Sequence, residues 1–525
     1  MGIWLRFANI ERQVYSIEET ATSLRLSGYT EREIKSEVFQ GQVVGSDRLK
    51  VYQSFNSERD LNHTINGLIT EEPQLPPLYY ILLHYWSSWL GDSPGVIRSL
   101  SAVISLLAFP GLYWLCWELF RQPLVAWTGV GLMAVSPIFV LYAREARLYS
   151  LWIVIILFAT AALLRALRFN KPLHWVFYTF CLSLGFYTTP LFFLVAIAHA
   201  VYLIGTQKAI FSQVIINYLL ASLTAVIIFS PWLFFIITNF NSSYNSTSWT
   251  ERVIPLPLLL ASFLINLVYS FLDVPSSIIW KYLTPFYSLP EMVLLIVCLA
   301  IIFLIVYSFY FLWSRSSVKT WLLVWSLAIV TSLIFLIPDL FFGGIRSVIP
   351  RFQMPLYISI LISVAYLISV TTICGTPKIK QKYWRIIAIA LISGSVISSV
   401  FITQSDIWWN KYFNIDNSKL ATIINQPAHP LVISDAGSSN YLNILSLNHL
   451  LESKVNFQLL PLNATLTIPD YFQDIFLLNP SSDLKAIIQK KLNYQIDLVY
   501  DGGQENPWQS DITLYKLCVN CVDAK

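Results

Sequence analysis

Long apolar runs constrain the fold of this chain most. Each is close to the ~20 residues that a helix needs to cross the hydrocarbon core of a bilayer. Backbone N–H and C=O groups have no water to bind at that depth, so such runs must form helices. The predicted spans cover residues 96–117, 124–141, 148–166, 175–186, 191–204, 214–236, 258–271, 292–313, 321–337, 355–373 and 386–403. The sequence therefore predicts an all-α polytopic membrane protein.

The composition agrees with a membrane protein whose partner is the lipid bilayer. Hydrophobic residues make up 56% of the chain and charged residues 12%, whereas soluble domains carry about a quarter charged residues. The net charge of +4 is too small to indicate a nucleic-acid partner.

Three regions follow from the pattern. Residues 1–95 hold a short, truncated first helix and a polar first loop, and residues 96–403 hold the helix bundle. Residues 404–525 turn polar and predict a small α/β domain outside the membrane. Its strands are predicted over 431–434, 455–459, 475–478 and 512–517, and its helices over 441–451 and 484–492, the second capped by Ser481 or Ser482.

Basic residues in alternate short loops predict the orientation of the spans. They are Arg121, Arg165, Arg168, Lys171, Lys208, Arg315, Lys319, Lys378, Lys380, Lys382 and Arg385. The positive-inside rule makes these loops cytoplasmic. The first loop, the turn at 142–150 and the C-terminal tail then face outward. Segment 258–271 breaks the alternation, so we expect it to be re-entrant or interfacial, or to be followed by a second crossing at 276–288.

Charged residues crowd the turn between the second and third spans, where Arg144, Glu145 and Arg147 follow one another closely. One interpretation is a solvated loop with an Arg–Glu pair. The other is a binding site for an anionic lipid headgroup, because the planar guanidinium meets phosphate oxygens in two places.

A second outward cluster contains Arg346 and Arg351 after the Gly343-Gly344 pair. Arginines on this face cannot act as topology signals, which favours a functional interpretation. The alternative is that they reach ordinary lipid phosphates at the interface.

The motif Tyr-Ala-x-Glu-Ala-Arg-x-Tyr-Ser-Leu at 142–151 resembles the signature of dolichyl-phosphate-mannose-protein mannosyltransferase-like enzymes. These are integral membrane glycosyltransferases of the GT-C fold that use polyprenyl-phosphate sugars. The resemblance extends over residues 1–370 and is firmest at 14–24, 72–80 and 142–152.

The resemblance implies roles for ten residues. Glu18 takes the position of the family's catalytic aspartate, the base for the acceptor hydroxyl, and Glu19 takes the position of the glutamate that follows it, so both are implied to be catalytic residues. Leu75 replaces a family histidine. The residues implied to line the donor site or to hold its phosphate are Glu72, Tyr79, Arg144, Glu145, Arg147, Tyr149, Arg346 and Arg351.

Structural interpretations of the acidic and proline residues stay open beside these roles. Glu18 and Glu19 suit the first turn of a helix. The prolines at 73, 76 and 77 suit a rigid helix start.

The predicted activity is transfer of a sugar from a polyprenyl-phosphate donor to an acceptor hydroxyl, with inversion, at the periplasmic or lumenal face. A bacterial plasma membrane is the expected location, the acceptor is not specified, and no cofactor or metal is expected. One alternative is a transporter or flippase, which predicts ionisable residues within the spans. Another is a degenerate member that binds the lipid-linked sugar without transferring it.

Overall fold

A computed structural model describes residues 1–207, 212–273, 289–373, 378–437, 440–461, 466–490, 494–505 and 512–518. The helices, in chain order, are α1 (Gly2–Phe7), α2 (Ile17–Leu26), α3 (Glu31–Val38), α4 (Ser46–Lys50), α5 (Leu61–Glu71), α6 (Leu78–Leu90), α7 (Pro94–Leu106), α8 (Ala108–Phe120), α9 (Pro123–Val135), α10 (Pro137–Ala143), α11 (Tyr149–Phe169), α12 (Pro172–Thr188), α13 (Phe192–Thr206), α14 (Gln213–Thr238), α15 (Phe240–Thr247), α16 (Leu256–Val268), α17 (Leu289–Arg315), α18 (Val318–Phe342), α19 (Met354–Ile373), α20 (Lys378–Gln404), α21 (Asn417–Asn425), α22 (Asn440–Asn448), α23 (Ser482–Lys490) and α24 (Gly502–Glu505). The strands are β1 (Val43–Gly45), β2 (Pro430–Asp435), β3 (Asn456–Leu460), β4 (Asp474–Leu478), β5 (Gln495–Asp501) and β6 (Thr513–Cys518).

The chain divides into two compact units, and both are assembled from separated segments. The membrane unit contains Met1–Ile10, Glu72–Tyr79 and Arg98–Gln404. The α/β unit contains Glu11–Glu71, Tyr80–Ile97 and Ser405–Lys525.

Helices fill the membrane unit as the apolar runs predict. Seven helices within the described residues are long and apolar enough to cross a membrane, or up to nine if each of two bent pairs is one span. Every predicted span falls on one of these helices, on a bent pair, or on the shorter helices α12 and α13. The predicted polytopic helix bundle is therefore confirmed.

Burial separates central from peripheral helices. In α11, 78% of the most apolar stretch of the helix is buried inside the protein, and in the span Pro350–Thr372 the buried share is 89%. In α14 and in Met292–Arg315 it is 22%. Hydropathy could not separate the two kinds, because lipid tails are as apolar as leucine side chains.

Two breaks interrupt the membrane helices. The axis bends by 60° between α9 and α10, where Pro137 holds Ser136 in an extended conformation. It bends by 99° between Phe240–Glu251 and Leu256–Val268. Helix α16 has 13 residues and is about 20 Å long, so it is too short to cross the bilayer alone. Residues 276–288, considered above as a second crossing, lie outside the described residues.

A six-stranded sheet organises the α/β unit, in the order β1-β3-β2-β4-β6-β5. Strand β2 runs parallel to both β3 and β4, and the outer pairings are antiparallel. The four predicted strands of the tail correspond to β2, β3, β4 and β6, and the two predicted helices to α22 and α23. The small α/β domain is confirmed. Strands β1 and β5 and helices α21 and α24 were not predicted.

The first loop supplies part of this sheet and of its core. Strand β1 pairs with β3, with Val43 opposite Gln458. On one face of the sheet, Leu24 and Ile34 of the loop pack in one buried cluster with Val432 and Phe457 of the tail. On the other face, α23 contributes to a second cluster. Loop and tail therefore bury their apolar surface together.

Candidate active site

Arg144, in the turn between α10 and α11, binds the backbone at the end of α1. Its guanidinium donates to the carbonyl oxygens of Leu5 at 3.1 Å, Ala8 at 2.6 Å and Asn9 at 3.0 Å. The side chain is buried, and this burial, with the nearby charge of Arg98, lowers the pKa of Arg144 to about 10. The group thus stays protonated at neutral pH. It satisfies carbonyls that a helix end leaves without donors and that carry partial negative charge.

Two further buried arginines connect the same N-terminal segment to the rest of the membrane unit. Arg98 donates to the carbonyl of Ile10 at 2.8 Å. Arg6 donates to the carbonyls of Ala134 at 2.9 Å and Met133 at 3.3 Å, at the end of α9.

Arg6 replaces donors that the break between α9 and α10 removes. The usual donor to Met133 is residue 137, a proline without an N–H. The usual donor to Ala134 is Ile138, whose N–H binds the carbonyl of Tyr269 instead. The short first helix is therefore fixed by ion–dipole contacts in the bundle.

Arg147 belongs to the same turn but contacts a different part of the unit. Its carbonyl accepts from Ser101 Oγ at 3.0 Å, and that hydroxyl lies 2.9 Å from the hydroxyl of the buried Tyr79. The backbone N–H of Arg147 donates to the carbonyl of Glu145 at 2.7 Å. Tyr79 is thus linked to the turn through the Ser101 hydroxyl, and it helps to position the backbone of the turn.

Residues 72–79 are attached to α14. The indole N–H of Trp232 donates to the carbonyl of Pro73 at 2.9 Å. Glu72 is half-buried at the start of the segment, and its carbonyl accepts from the Leu75 N–H. The prolines and this contact hold the chain before α6 in one conformation.

The two predicted cationic clusters meet at Tyr149. The guanidinium of Arg351, in the turn before α19, lies over the ring of Tyr149 with 5.9 Å to its centroid. It also lies 5.4 Å from the ring centroid of Trp249. The Tyr149 ring packs edge-on against Tyr142, with 5.1 Å between centroids. Cation–π attraction holds the Arg351 guanidinium against these rings.

Arg346 is bound to carboxylates. It lies 3.2 Å from the buried Asp339 and 3.1 Å from Glu251. The second oxygen of Asp339 accepts from the Ser347 N–H at 2.6 Å. Gly344 has a φ of +137°, and a Cβ there would come within 2.4 Å of Asp339, which explains a glycine at this position. This ion pair orders the turn that presents Arg351.

Glu18 and Glu19 belong to the α/β unit, where they begin α2. Ser16 and Glu19 form a reciprocal capping box. The Glu19 carboxylate also binds Lys411 Nζ at 2.8 Å, with both side chains fully buried. Glu18, the next residue back, is half-buried. Glu19 therefore has a structural role, and the catalytic role of Glu18 stays a prediction.

Sequence reasoning missed several charged residues of these networks. Arg98 lies inside a predicted span, where an ionisable residue signals a specific partner. Lys411, Glu251 and Asp339 carried no pattern that pointed to their partners. Trp249, in the polar segment between α15 and α16, was not predicted either.

The match with known proteins covers the same turn. Residues 74–235 match the sequence model of the family described as dolichyl-phosphate-mannose-protein mannosyltransferase. The chain resembles this family over the region that contains Tyr79, Arg144, Glu145, Arg147 and Tyr149. No curated protein matches the sequence.

Solved structures share the fold. ArnT from Cupriavidus metallidurans bound to undecaprenyl phosphate is 11% identical, with a TM-score of 0.54 over 100% of this chain and 98% of that chain. The apo state of ArnT is 11% identical, with a TM-score of 0.51 over 98% and 95%. AglB from Archaeoglobus fulgidus, in complex with an inhibitory peptide and a dolichol-phosphate, is 14% identical over 73% of this chain and 57% of that chain, with a TM-score of 0.42. The similarity to ArnT confirms the predicted GT-C-like architecture.

Replacing Arg144 with methionine tests its backbone role. We expect Arg144→Met to lose several kcal/mol of unfolding free energy, because each buried carbonyl left without a donor costs about 1–3 kcal/mol. Thermal unfolding in detergent, followed by tryptophan fluorescence, measures this. Arg165→Met is the control: Arg165 is exposed and lies 3.9 Å from Glu118, so its loss should change stability by less than about 1 kcal/mol. Equal melting temperatures for the two variants would contradict the assignment.

The buried Glu19–Lys411 pair gives a second prediction. Lys411→Met should destabilise the protein by about 3–5 kcal/mol, because it leaves a buried carboxylate without its cation. Adding Glu19→Gln should recover most of the loss, since glutamine keeps the capping box without the charge. Melting temperatures of the single and double variants measure the effect, and a double variant no more stable than Lys411→Met would refute it.

Proposed function

We propose that the protein is a membrane glycosyltransferase that takes a sugar from a polyprenyl phosphate and transfers it to an acceptor hydroxyl. Three observations support the proposal: the family match over residues 74–235, the fold shared with ArnT, and the contact of Arg351 with Tyr149. The contact between Arg351 and Tyr149 carries the proposal. It joins the turn at 142–150, which we call the signature turn, to the second cationic segment with Arg346 and Arg351.

The four arginines have two different roles in this proposal, phosphate binding and positioning of the turns. Arg147 and Arg351 bind the donor phosphate and stabilise the charge that develops as it leaves. Arg144 holds the turn against α1, and Arg346 holds the turn that carries Arg351. Glu145, Glu72, Tyr79 and Tyr149 shape the donor site. ArnT in complex with undecaprenyl phosphate supports a polyprenyl-phosphate ligand for the fold.

The reaction is a single displacement. The acceptor oxygen forms a bond to the anomeric carbon while the bond from that carbon to the phosphate oxygen breaks. The polyprenyl phosphate leaves with the bonding electrons, and the acceptor proton passes to the carboxylate of Glu18. One displacement inverts the anomeric configuration. The phosphate is a weak base, so cations serve it better than a general acid does.

The charge distribution supports chemistry at the outer face. Helix α11 begins beside Arg147 and is about 31 Å long. At its other end, Arg165 and Arg168 surround the buried Glu118, with Arg168 at 3.0 Å. Exposed basic groups at that end favour the cytoplasmic side for it, and the signature turn then faces the periplasm or lumen.

Substitution of Glu18 tests the catalytic base. Membranes containing the wild type should transfer radiolabelled sugar from a polyprenyl-phosphate donor, and Glu18→Gln should lower turnover by about 10²–10⁴-fold with donor affinity unchanged. Glu18→Asp, which keeps a carboxylate, should retain measurable activity. Donor binding without transfer in the wild type would indicate a non-catalytic binder. Wild-type transfer that Glu18→Gln leaves unchanged would remove Glu18 from the mechanism.

Substitution of Arg351 tests the phosphate site. Arg351→Gln should weaken binding of undecaprenyl phosphate by at least about tenfold, because a hydrogen bond to a charged group contributes roughly 1.5–3 kcal/mol. The melting temperature should change little. Calorimetry on purified protein measures the affinity, with Arg165→Gln as the control for general charge loss. Equal affinities for Arg351→Gln and the control would refute the assignment.

A further inference from the structure

An apolar groove runs along the outside of the membrane unit between α17 and α20. Its volume is about 500 Å³. Leu304 and Ile301 line it from α17, and Ile387 and Leu391 from α20. Since α17 is among the least buried spans, the groove lies on the periphery of the bundle, where hydrocarbon is the surrounding solvent.

Two stacked rings and a glycine define its ends. Tyr307 and Trp384 stack with 5.9 Å between centroids and 12° between planes. They lie nearest to Arg315, the end of α17, and Lys378, the start of α20. Gly394 lines the other end, and a Cβ built there would meet nothing closer than 3.9 Å. The missing side chain therefore opens space.

A cation extends the groove beyond the rings. On α20 the lining residues Trp384, Ile387, Leu391 and Gly394 repeat at helical spacing and form one stripe. Lys380, one turn before Trp384, continues this stripe and is exposed. A ligand with its chain against the stripe would place a headgroup at the Lys380 ammonium.

The groove is separate from the proposed donor site. Helix α19 has 20 residues and a length of about 30 Å, the thickness of the hydrocarbon core. Arg351 precedes this helix, and Lys380 follows it. A phosphate bound by Arg147 and Arg351 therefore belongs to one leaflet, and a headgroup at Lys380 belongs to the other.

We propose that this groove binds an acyl chain of an anionic phospholipid whose phosphate contacts Lys380, in the leaflet opposite the donor site. The apolar lining selects hydrocarbon, and the lysine selects negative charge. The proposal does not depend on glycosyl transfer.

Native mass spectrometry of the full chain in detergent tests the site with phosphatidylglycerol and phosphatidylcholine of matched chains. We expect the wild type to prefer phosphatidylglycerol. Gly394→Leu should weaken the binding of both lipids by about tenfold, because the new side chain fills the groove. Lys380→Gln should weaken phosphatidylglycerol binding by about fivefold, the effect of one cation near an anionic membrane surface. Phosphatidylcholine binding should fall less, because its choline cation offsets the phosphate charge.

Matched variants make each outcome decisive. Lys382→Gln removes an exposed cation on the opposite side of α20 and should behave as the wild type. Ala390→Leu, on the groove's exposed rim, replaces Gly394→Leu if that variant does not fold. The proposal would be overturned if Gly394→Leu, the variant that fills the groove, bound both lipids as the wild type does. It would also be overturned if Lys380→Gln and Lys382→Gln lost phosphatidylglycerol affinity equally. An equal loss of undecaprenyl phosphate binding in Gly394→Leu would overturn it too, because that loss would assign the groove to the donor chain.

Discussion

Backbone carbonyl groups at interrupted helix ends need donors where water is scarce, and the membrane unit supplies them with buried side chains. Arg6 takes this role at the break before Pro137, and Arg144 and Arg98 take it at the end of α1. Asn266 does the same for the carbonyl of Val348, at 2.7 Å. An unsatisfied carbonyl costs several kcal/mol in hydrocarbon, so the short first helix and the kinked second span depend on these contacts.

The need for donors to these carbonyls changes how the arginines of the signature turn are interpreted. A pair of arginines at a membrane surface suggests two phosphate ligands, yet the structure binds Arg144 to backbone carbonyls of the polypeptide itself. Arg144 and Arg346 each bind groups within the protein, carbonyls in one case and carboxylates in the other. The turns held in this way carry Arg147 and Arg351. Fixed turns reduce the conformational entropy lost when an anion binds.

The α/β unit follows from a different constraint, the burial of two apolar sheet faces. The tail contains the central parallel strands, and their short apolar runs made them predictable. Its helices α21 and α22 cover one sheet face together with the first loop. Helices α2 and α3 of the first loop complete that face, and the buried pair of Glu19 and Lys411 joins loop and tail directly. Strand β1, with three residues, has too little pattern to be recognised before its partner is known.

The sequence by itself determined the helical membrane bundle, the central strands and the positions of the cationic turns. Hydropathy, strand pattern and turn chemistry depend on residues that are close together in the chain. They can therefore be read from the sequence alone. Only the tertiary structure decided which arginine binds carbonyls, which binds carboxylates and which lies against aromatic rings. A guanidinium takes its role from its partner, and the partner of Arg144 at Leu5 is 139 positions away. Local pattern carries no information about a contact that only folding creates.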